Sequence, residues 1–309
     1  MLKSYYVYFY YLLTAEAKAT YRLLYESLLQ LQEEVIVKGS MKNISSIIEY
    51  LLMDHPKFYY VDQSNQYFYK KGTTLVVKWN YLYDKANIKK YNLLLDKRLQ
   101  KSRQILSGKT AYEKTEIIYR NISNHVTYDL NSQFRDNLIG AYINRRAVCH
   151  GIATLFKVWC DYNQIPCIMV QGYGAKEAHM WNMVKIEGCF YHVDVTWDIV
   201  EDGGATTYFY LNRSDDYMKF HHSWSKAIYP SCLSESTYFQ QHHLVLDDMK
   251  NWKQLCTAAY KKSELCHFQL TKRGPSVENI LQYFGRKTSF RYIMDDNKSC
   301  LMIDCRNRN

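Results

Sequence analysis

The sequence predicts an α+β fold in which an antiparallel sheet packs on one central helix. In residues 148–162 the apolar positions recur at steps of three and four, which is typical of one buried helical face. These positions are Ile152, Leu155, Phe156 and Trp159. Residues 180–186 and 190–195 then predict two strands joined by a turn at Glu187 and Gly188. A helix followed by antiparallel strands is the order of an α+β core.

The rest of the chain predicts a helical and β extension before this core and a mixed α/β extension after it. The expected helices are 4–35, 45–53, 84–106, 110–124, 246–260 and one near 277–284. The expected strands are a hairpin of 58–70 and 73–83, a short buried strand at 167–170 and another at 207–211. Loops are expected at 125–146, at 172–174 and around His221 and His222. We therefore divide the chain into an N-terminal region (1–107), a central core (108–215) and a C-terminal region packed on the core (216–309).

Composition indicates a globular protein. Of its 309 residues, 47% are hydrophobic and 23% are charged, and only 4 prolines and 12 glycines are present, which argues against long linkers. The net charge is +10, and it lies outside the core: residues 1–107 carry +7, 108–215 carry −2 and 216–309 carry +5. One interpretation of this positive charge is an anionic partner. The favoured interpretation is a set of scattered, solvated lysines, because the sequence has no dense basic block that would point to nucleic acid.

Nine cysteines without a Cys-x-x-Cys spacing predict reduced thiols. The apolar start of the chain resembles a signal peptide only faintly, because acidic Glu16 lies at the expected cleavage position. No stretch approaches the roughly 18 apolar residues of a membrane span. The expected location is therefore cytoplasmic, or exported without a conventional signal. The sequence does not indicate an oligomeric state.

Three residues in this core predict a nucleophilic active site. Cys149 lies at the start of the central helix, where free N–H groups and the helix dipole favour a thiolate and can hold an oxyanion. His179 stands at the beginning of a strand beside a glycine loop. A turn near Gly188 brings residues 196–198 opposite 179 and 180, so Asp194 lies one or two positions off register from His179. We predict Cys149 as nucleophile, His179 as base and Asp194 as the acid that orients it.

The segments around these residues also resemble a known family. Residues 147–153 (AVCHGIA), 179–184 (HMWNMV) and 191–198 (YHVDVTWD) are similar to the core of the bacterial transglutaminase-like superfamily. The resemblance implies a papain-like fold and gives Cys149, His179 and Asp194 the family's triad roles. It covers about residues 110–215, and His150 departs from its usual pattern.

The resemblance further implies acyl transfer through a cysteine thioester, without a cofactor. The expected substrates are proteins or peptides with a glutamine or amide donor, and the acceptor is either water or a primary amine. A non-catalytic binding or scaffold protein on the same fold is the alternative from another class.

Three details stay open in the sequence. Tyr128, Asn137 and Tyr142 are equal candidates for the second oxyanion donor. Trp181 and Trp197 are either walls that exclude water from the acyl site or ordinary core residues. Potential metal ligands occur at His221, His222, Cys232, His242, His243, Cys266 and His267. None of these has a zinc spacing, so no metal is expected.

Overall fold

The computed structural model describes residues 6–64, 67–72, 74–200 and 205–306, and it confirms the α+β class. In the N-terminal region, an antiparallel sheet in the order β1-β3-β2 packs with four helices. The helices are α1 (Phe9–Leu12), α2 (Ala15–Leu29), α3 (Met41–Asp54) and α4 (Lys85–Leu106). The strands are β1 (Glu34–Val37), β2 (Tyr67–Lys71) and β3 (Thr74–Lys78).

The centre of the molecule is a five-stranded antiparallel sheet in the order β10-β6-β7-β8-β9. Its strands are β6 (Cys167–Gly174), β7 (Glu177–Ile186), β8 (Cys189–Val193), β9 (Leu211–Arg213) and β10 (His222–Trp224). The helices of this region are α5 (Ala111–His125), α6 (Cys149–Tyr162) and the short α7 (Asp215–Met218). A two-stranded parallel pair, β4 (Thr127–Tyr128) and β5 (Arg146–Ala147), precedes α6. Since β10 lies beyond residue 215, a segment after that residue completes the central sheet.

A second, mixed sheet in the order β11-β12-β14-β13 forms the C-terminal region. Its strands are β11 (Val245–Leu246), β12 (Leu265–Leu270), β13 (Arg291–Met294) and β14 (Cys300–Asp304), with β11 parallel to β12. The accompanying helices are α8 (Tyr238–Gln241), α9 (Trp252–Lys262) and α10 (Val277–Gly285). None of the helices in the described part of the chain combines the length and apolarity that a membrane crossing needs.

Helix α6 is buried against the central sheet, as its apolar stripe predicted. Ile152, Leu155 and Phe156 are buried, and Trp159 is partly buried. The Asn182 side chain of β7 donates a hydrogen bond to the Ala153 carbonyl oxygen at 3.1 Å, which ties the first turns of α6 to the sheet. A Cβ atom on Gly151 would lie 2.4 Å from the Arg135 carbonyl oxygen, so only glycine lets the preceding loop pass this close to the helix.

Several expected elements were wrong in extent. The helix expected over 4–35 is divided at Thr14, whose hydroxyl accepts the Ala17 N–H at 3.3 Å as an N-cap. Within the same range, Val35 belongs to strand β1. The first hairpin strand, expected from residue 58, begins only at Tyr67, and Pro56–Phe58 form a 3-10 turn instead. Thr73, expected to open the second strand, lies outside the described residues. The helix expected over 246–260 is α9, which begins only at Trp252, because Val245 and Leu246 form strand β11.

Two corrections concern the region that positions the site. Residues 172–174, expected as a loop, continue β6, and the expected loop at His222 is strand β10 paired to it. The glycines allow close approach: a Cβ on Gly172 would lie 2.2 Å from the Ser223 carbonyl oxygen of β10. A Cβ on Gly174 would lie 3.0 Å from the Trp197 ring and 3.1 Å from the His179 ring. Both glycines therefore serve strand packing around His179 rather than a turn.

Candidate active site

Cys149 is the first residue of α6, and Val148 is its N-cap without a side-chain capping bond. The first N–H groups of a helix lack intrahelical partners and carry the positive end of the dipole. Cys149 is half-buried, whereas seven of the other cysteines are buried and Cys189 is exposed. All nine are free thiols. Position and accessibility together distinguish Cys149 from the core cysteines.

His179 and Asp194 form a buried pair across the central sheet. His179 Nε2 lies 2.7 Å from Asp194 Oδ2. Asn182 pairs with Val193 in the β7–β8 ladder, so Asp194 follows the last paired residue, close to the predicted register. The other carboxylate oxygen, Oδ1, accepts the Thr196 N–H at 3.0 Å. These bonds hold the carboxylate in one orientation behind the imidazole.

The electrostatics of the pair favour an imidazolium beside a carboxylate. Burial lowers the pKa of His179, but the Asp194 carboxylate and a hydrogen bond with Cys149 outweigh it and raise that pKa to about 10. Burial would raise the pKa of Asp194, yet His179 and His222 hold it well below its usual range. Because Asp194 occupies Nε2 of His179, Nδ1 is the ring nitrogen left for the Cys149 thiol.

The structure adds a second histidine that sequence reasoning did not place in the site. His222 Nε2 lies 2.9 Å from the same Asp194 Oδ2 atom, and its side chain is fully buried. Its Nδ1 has no hydrogen-bond partner among the described residues. The only signal for it in the sequence is the His221-His222 pair, which predicts no more than potential metal ligands. The pairing of β10 with β6 is what brings His222 to Asp194.

Trp181 and Trp197 lie behind the imidazole. Trp181 is buried, stacks on His179 with ring centroids 5.7 Å apart, and donates from Nε1 to His192 Nδ1 at 3.0 Å. The Trp197 ring lies 5.9 Å from His179 and 4.3 Å from His222. Neither is among the described residues that line the cavity at Cys149. These rings shield the histidine–aspartate pair from one side.

The three candidate oxyanion donors occupy different places. Tyr128 pairs with Ala147, two residues before Cys149, and the Cys149 charge contributes, after burial, to the raised pKa of Tyr128. Asn137 instead uses its side-chain oxygen to accept the Ile139 N–H at 2.9 Å. Tyr142 packs on Trp159 with ring centroids 5.9 Å apart. Of the three, Tyr128 is therefore the candidate on whose pKa the Cys149 charge acts.

Two groups of described residues bring three possible metal-ligand atoms within 4.8 Å of one another. One is His179, Asp194 and His222, whose ligand atoms are joined by the hydrogen bonds above. The other is His192, Asp215 and Cys232. There His192 accepts from Trp181 at Nδ1, and its Nε2 lies 2.9 Å from Asp215 Oδ1. In both groups, histidine–carboxylate hydrogen bonds join the possible ligand atoms of the imidazoles and carboxylates.

A cavity of about 640 Å³ opens onto Cys149 and His179. Helix α3 contributes Glu49, Tyr50 and Met53 to its lining. Strands β6, β7 and β10 and the segment after β10 contribute most of the remainder, which includes Gln171, Tyr173, Met180, Trp224, Ile228 and Tyr229. The cavity is therefore assembled from segments on both sides of the predicted core, and it gives a substrate access to the thiol.

Comparison with known proteins identifies the central segment. Residues 100–195 match the family model of the Transglutaminase-like superfamily. No curated protein matches the chain. The solved structures similar to it include a proposed cysteine protease from Cytophaga hutchinsonii (16% identity, 46% of this chain and 64% of that chain covered, TM-score 0.31). A structure described as a TGase has 13% identity, covers 55% of this chain and 52% of its own, and gives a TM-score of 0.28.

A proposed protease from Parabacteroides distasonis has 13% identity, with 41% of this chain and 35% of that chain covered and a TM-score of 0.25. In each case this chain covers less than two thirds of the similar chain's length, and no functional assignment follows from likenesses of this size. The family match contains Cys149, His179 and Asp194. The resemblance to the transglutaminase-like superfamily that the sequence predicted is thus confirmed for residues 100–195, the segment that the family model matches.

Proposed function

We propose that this protein is a cysteine enzyme that transfers acyl groups through a Cys149 thioester, with protein or peptide amides as donors. The observation that carries the proposal is the buried His179–Asp194 hydrogen bond of 2.7 Å beside a half-buried cysteine at a helix N-terminus. A nucleophile, a base within reach of it and a group that orients the base are the parts that thiol acyl transfer requires. The family match over residues 100–195 supports the same reaction class.

In the proposed reaction, the Cys149 thiolate attacks the amide carbonyl carbon, and the carbonyl oxygen becomes an oxyanion held by N–H groups at the start of α6. His179 then gives its Nδ1 proton to the leaving nitrogen, the C–N bond breaks and a thioester remains. Deacylation reverses these roles: His179 takes a proton from the incoming nucleophile, and the sulfur leaves as thiolate. Asp194 keeps Nε2 protonated and stabilises the imidazolium throughout. Water as nucleophile gives hydrolysis, and a primary amine gives transfer.

The first test is alkylation of the intact protein by iodoacetamide as a function of pH, followed by peptide mapping. We expect one of the nine cysteines to react fast at pH 6 and to map to Cys149, since the helix N-terminus and His179 favour its thiolate. In His179→Ala this fast reaction is expected to fall to the rate of an ordinary exposed thiol. A screen of glutamine peptides, with and without a primary amine, then separates hydrolysis from transfer.

Cys189 provides the internal control, because it is the exposed cysteine remote from the paired histidine. Its rate is expected to follow that of a free thiol in wild type and in His179→Ala, while Cys149→Ala removes only the fast component. If Cys149 reacts no faster than Cys189 at pH 6, the catalytic proposal fails. The non-catalytic binding protein would then be the better description.

Removing the His222 side chain is expected to slow acyl transfer without abolishing it. In His222→Phe, Asp194 Oδ2 loses one of its two imidazole hydrogen bonds, so the carboxylate is oriented less firmly against His179 and holds the imidazolium less well. We expect about a tenfold slower turnover, the usual size of a loss behind a reacting group. The acid limb of Cys149 alkylation against pH should move to higher pH. A merely structural loss would lower the melting temperature and leave that limb where it was.

His222→Gln is the matched variant, since its side-chain N–H₂ retains a donor for Asp194. It is expected to recover part of the rate and most of the pH profile. Equal profiles for His222→Phe and wild type would contradict the assigned role.

A further inference from the structure

The cavity at Cys149 is lined by few charged side chains. Among the described residues that line it, Glu49 is the only carboxylate, and there is neither lysine nor arginine. Glu49 lies on α3, four residues before Met53, so both side chains project from one face of that helix. Helix α3 lies outside residues 100–195, the segment that matches the family. The one carboxylate among the described lining residues therefore comes from outside the family-matched segment, whereas the cationic His179 lies within it.

Glu49 lines the same cavity as His179, and so does Gln171 of strand β6. The Gln171 side chain lowers the pKa of Glu49 against the larger effect of burial. Gln171 precedes Gly172, which pairs directly with His179 in the β6–β7 ladder. Gln171 itself pairs with Met180, the residue after His179, and all four of these residues line the cavity together with Glu49.

Aromatic rings surround the same space. Tyr50, Trp224 and Tyr229 line the cavity with Glu49, and the Tyr229 hydroxyl accepts the Gln171 N–H at 3.0 Å, which fixes this wall. Ring faces attract cations, most strongly where water is partly excluded. The Glu49 side chain is exposed to solvent, but its partial burial still raises its pKa, and a cation next to the carboxylate would offset that effect. A carboxylate among aromatic rings is a suitable site for an alkylammonium group.

We propose that the cavity binds an alkylammonium group of the substrate, with Glu49 as its counter-ion and Tyr50 and Trp224 as its aromatic walls. The inference rests on the proposed function, because it places the reacting carbonyl at Cys149. The proposed site restricts the expected substrates to amide donors or acyl acceptors that carry a lysine-like ammonium group. Since the whole protein carries +10, its overall field favours anions, and a preference for cations has to arise from this local site.

The test measures alkylation of Cys149 by three bromoacetamides of matched length, whose pentyl arms end in an ammonium, a methyl or a carboxylate group. Rates at Cys149 and at Cys189 are followed by mass spectrometry in low salt at pH 7. We expect the ammonium probe to react about fivefold faster than the methyl probe at Cys149 alone, the size of one partly exposed ion pair with a ring contact. Glu49→Gln should remove the difference, and Glu49→Lys should favour the carboxylate probe.

Two carboxylates provide controls. Glu177 lies two residues before His179 but does not line the cavity in the described structure, and exposed Glu187 follows the far end of β7, roughly 26 Å from His179 at 3.3 Å per residue. Neither Glu177→Gln nor Glu187→Gln should change the order of the three rates. If Cys149 reacts fast but without charge preference, or if Glu177→Gln removes the preference, the Glu49 site is overturned while the cysteine chemistry stands. If Cys149 reacts slowly with all three probes, the proposed function itself fails.

Discussion

Asp194→Asn is expected to lower the rate of acyl transfer by roughly 10⁴-fold, the loss that the same change causes when the acid of a serine-protease triad becomes an amide. In the structure, Oδ2 of Asp194 faces His179 Nε2 and His222 Nε2, while Oδ1 accepts the Thr196 N–H. An amide has only one acceptor oxygen. Its NH₂ group must therefore face either two ring N–H groups or the backbone N–H of Thr196. If the NH₂ group faces the rings, the ring proton of His179 must move from Nε2 to Nδ1. A protonated Nδ1 cannot accept a proton from Cys149.

The pH dependence of stability gives a second measure of the same change. The pKa of His179 is raised, so its favourable contribution is complete below the ordinary histidine value of about 6.5 and is lost as pH rises through about 10. The pKa of Asp194 is depressed, so its contribution is present above about 3.9 and is lost as the pH falls below that. The difference in melting temperature between wild type and Asp194→Asn should therefore be largest between about pH 4 and pH 6.5. It should shrink toward pH 10.

Asp215→Asn is the matched control for this experiment. Asp215 Oδ1 lies 2.9 Å from His192 Nε2, a pair of nearly the same length that does not contact the cysteine. Its effect on turnover and on Cys149 alkylation should be less than about threefold. Turnover of Asp194→Asn within tenfold of wild type would show that Asp194 does not orient a catalytic imidazole.

The sequence could predict where Cys149, His179 and Asp194 lie in the fold because each occupies a local pattern: the start of a helix, the start of a strand, and a position set by a tight turn. His222 could not be predicted in the same way. It reaches Asp194 only because β10, 28 residues later, pairs with the outer side of β6. Glu49 enters the cavity through packing of α3, which is still farther away in the chain. Local periodicity contains no information about either of these long-range contacts.

The misplaced strand at 207–211 shows how a buried polar group can override β propensity. Asp198 is buried, and burial raises its pKa to about 6. It accepts hydrogen bonds from the Thr207 hydroxyl and, at 2.9 Å, from the Tyr210 N–H. The chain between them folds around the carboxylate, with Tyr208 at φ +60°, so the strand begins only at Leu211. Leaving a buried carboxylate without hydrogen bonds costs more free energy than the loss of β propensity here, since the whole β-propensity scale spans only about 1 kcal/mol.

Lys157→Met is expected to destabilise the protein by about 3–5 kcal/mol, because it leaves a charge buried without its partner. Lys157 lies on the same helix as Cys149, and its ammonium contacts both Asp161 carboxylate oxygens at 3.1 Å. It also donates to the Tyr6 and Cys167 carbonyl oxygens at 3.0 Å each, which joins α6 to the N-terminal segment and to β6. Both side chains of the pair are almost completely buried. Asp161 raises the pKa of Lys157 against the effect of burial, so the pair persists at neutral pH.

Urea unfolding of Lys157→Met, of Asp161→Leu and of the double variant measures the coupling directly. The double variant should be more stable than the less stable single variant, since neither charge is then left alone. Lys219→Met provides the comparison: its pair with Asp216 is 2.7 Å long but exposed, and such pairs contribute at most about 1 kcal/mol. A loss for Lys157→Met no larger than that for Lys219→Met would mean that water reaches the α6 pair. In that case the pair would not fix α6, and with it Cys149, against the sheet that holds His179.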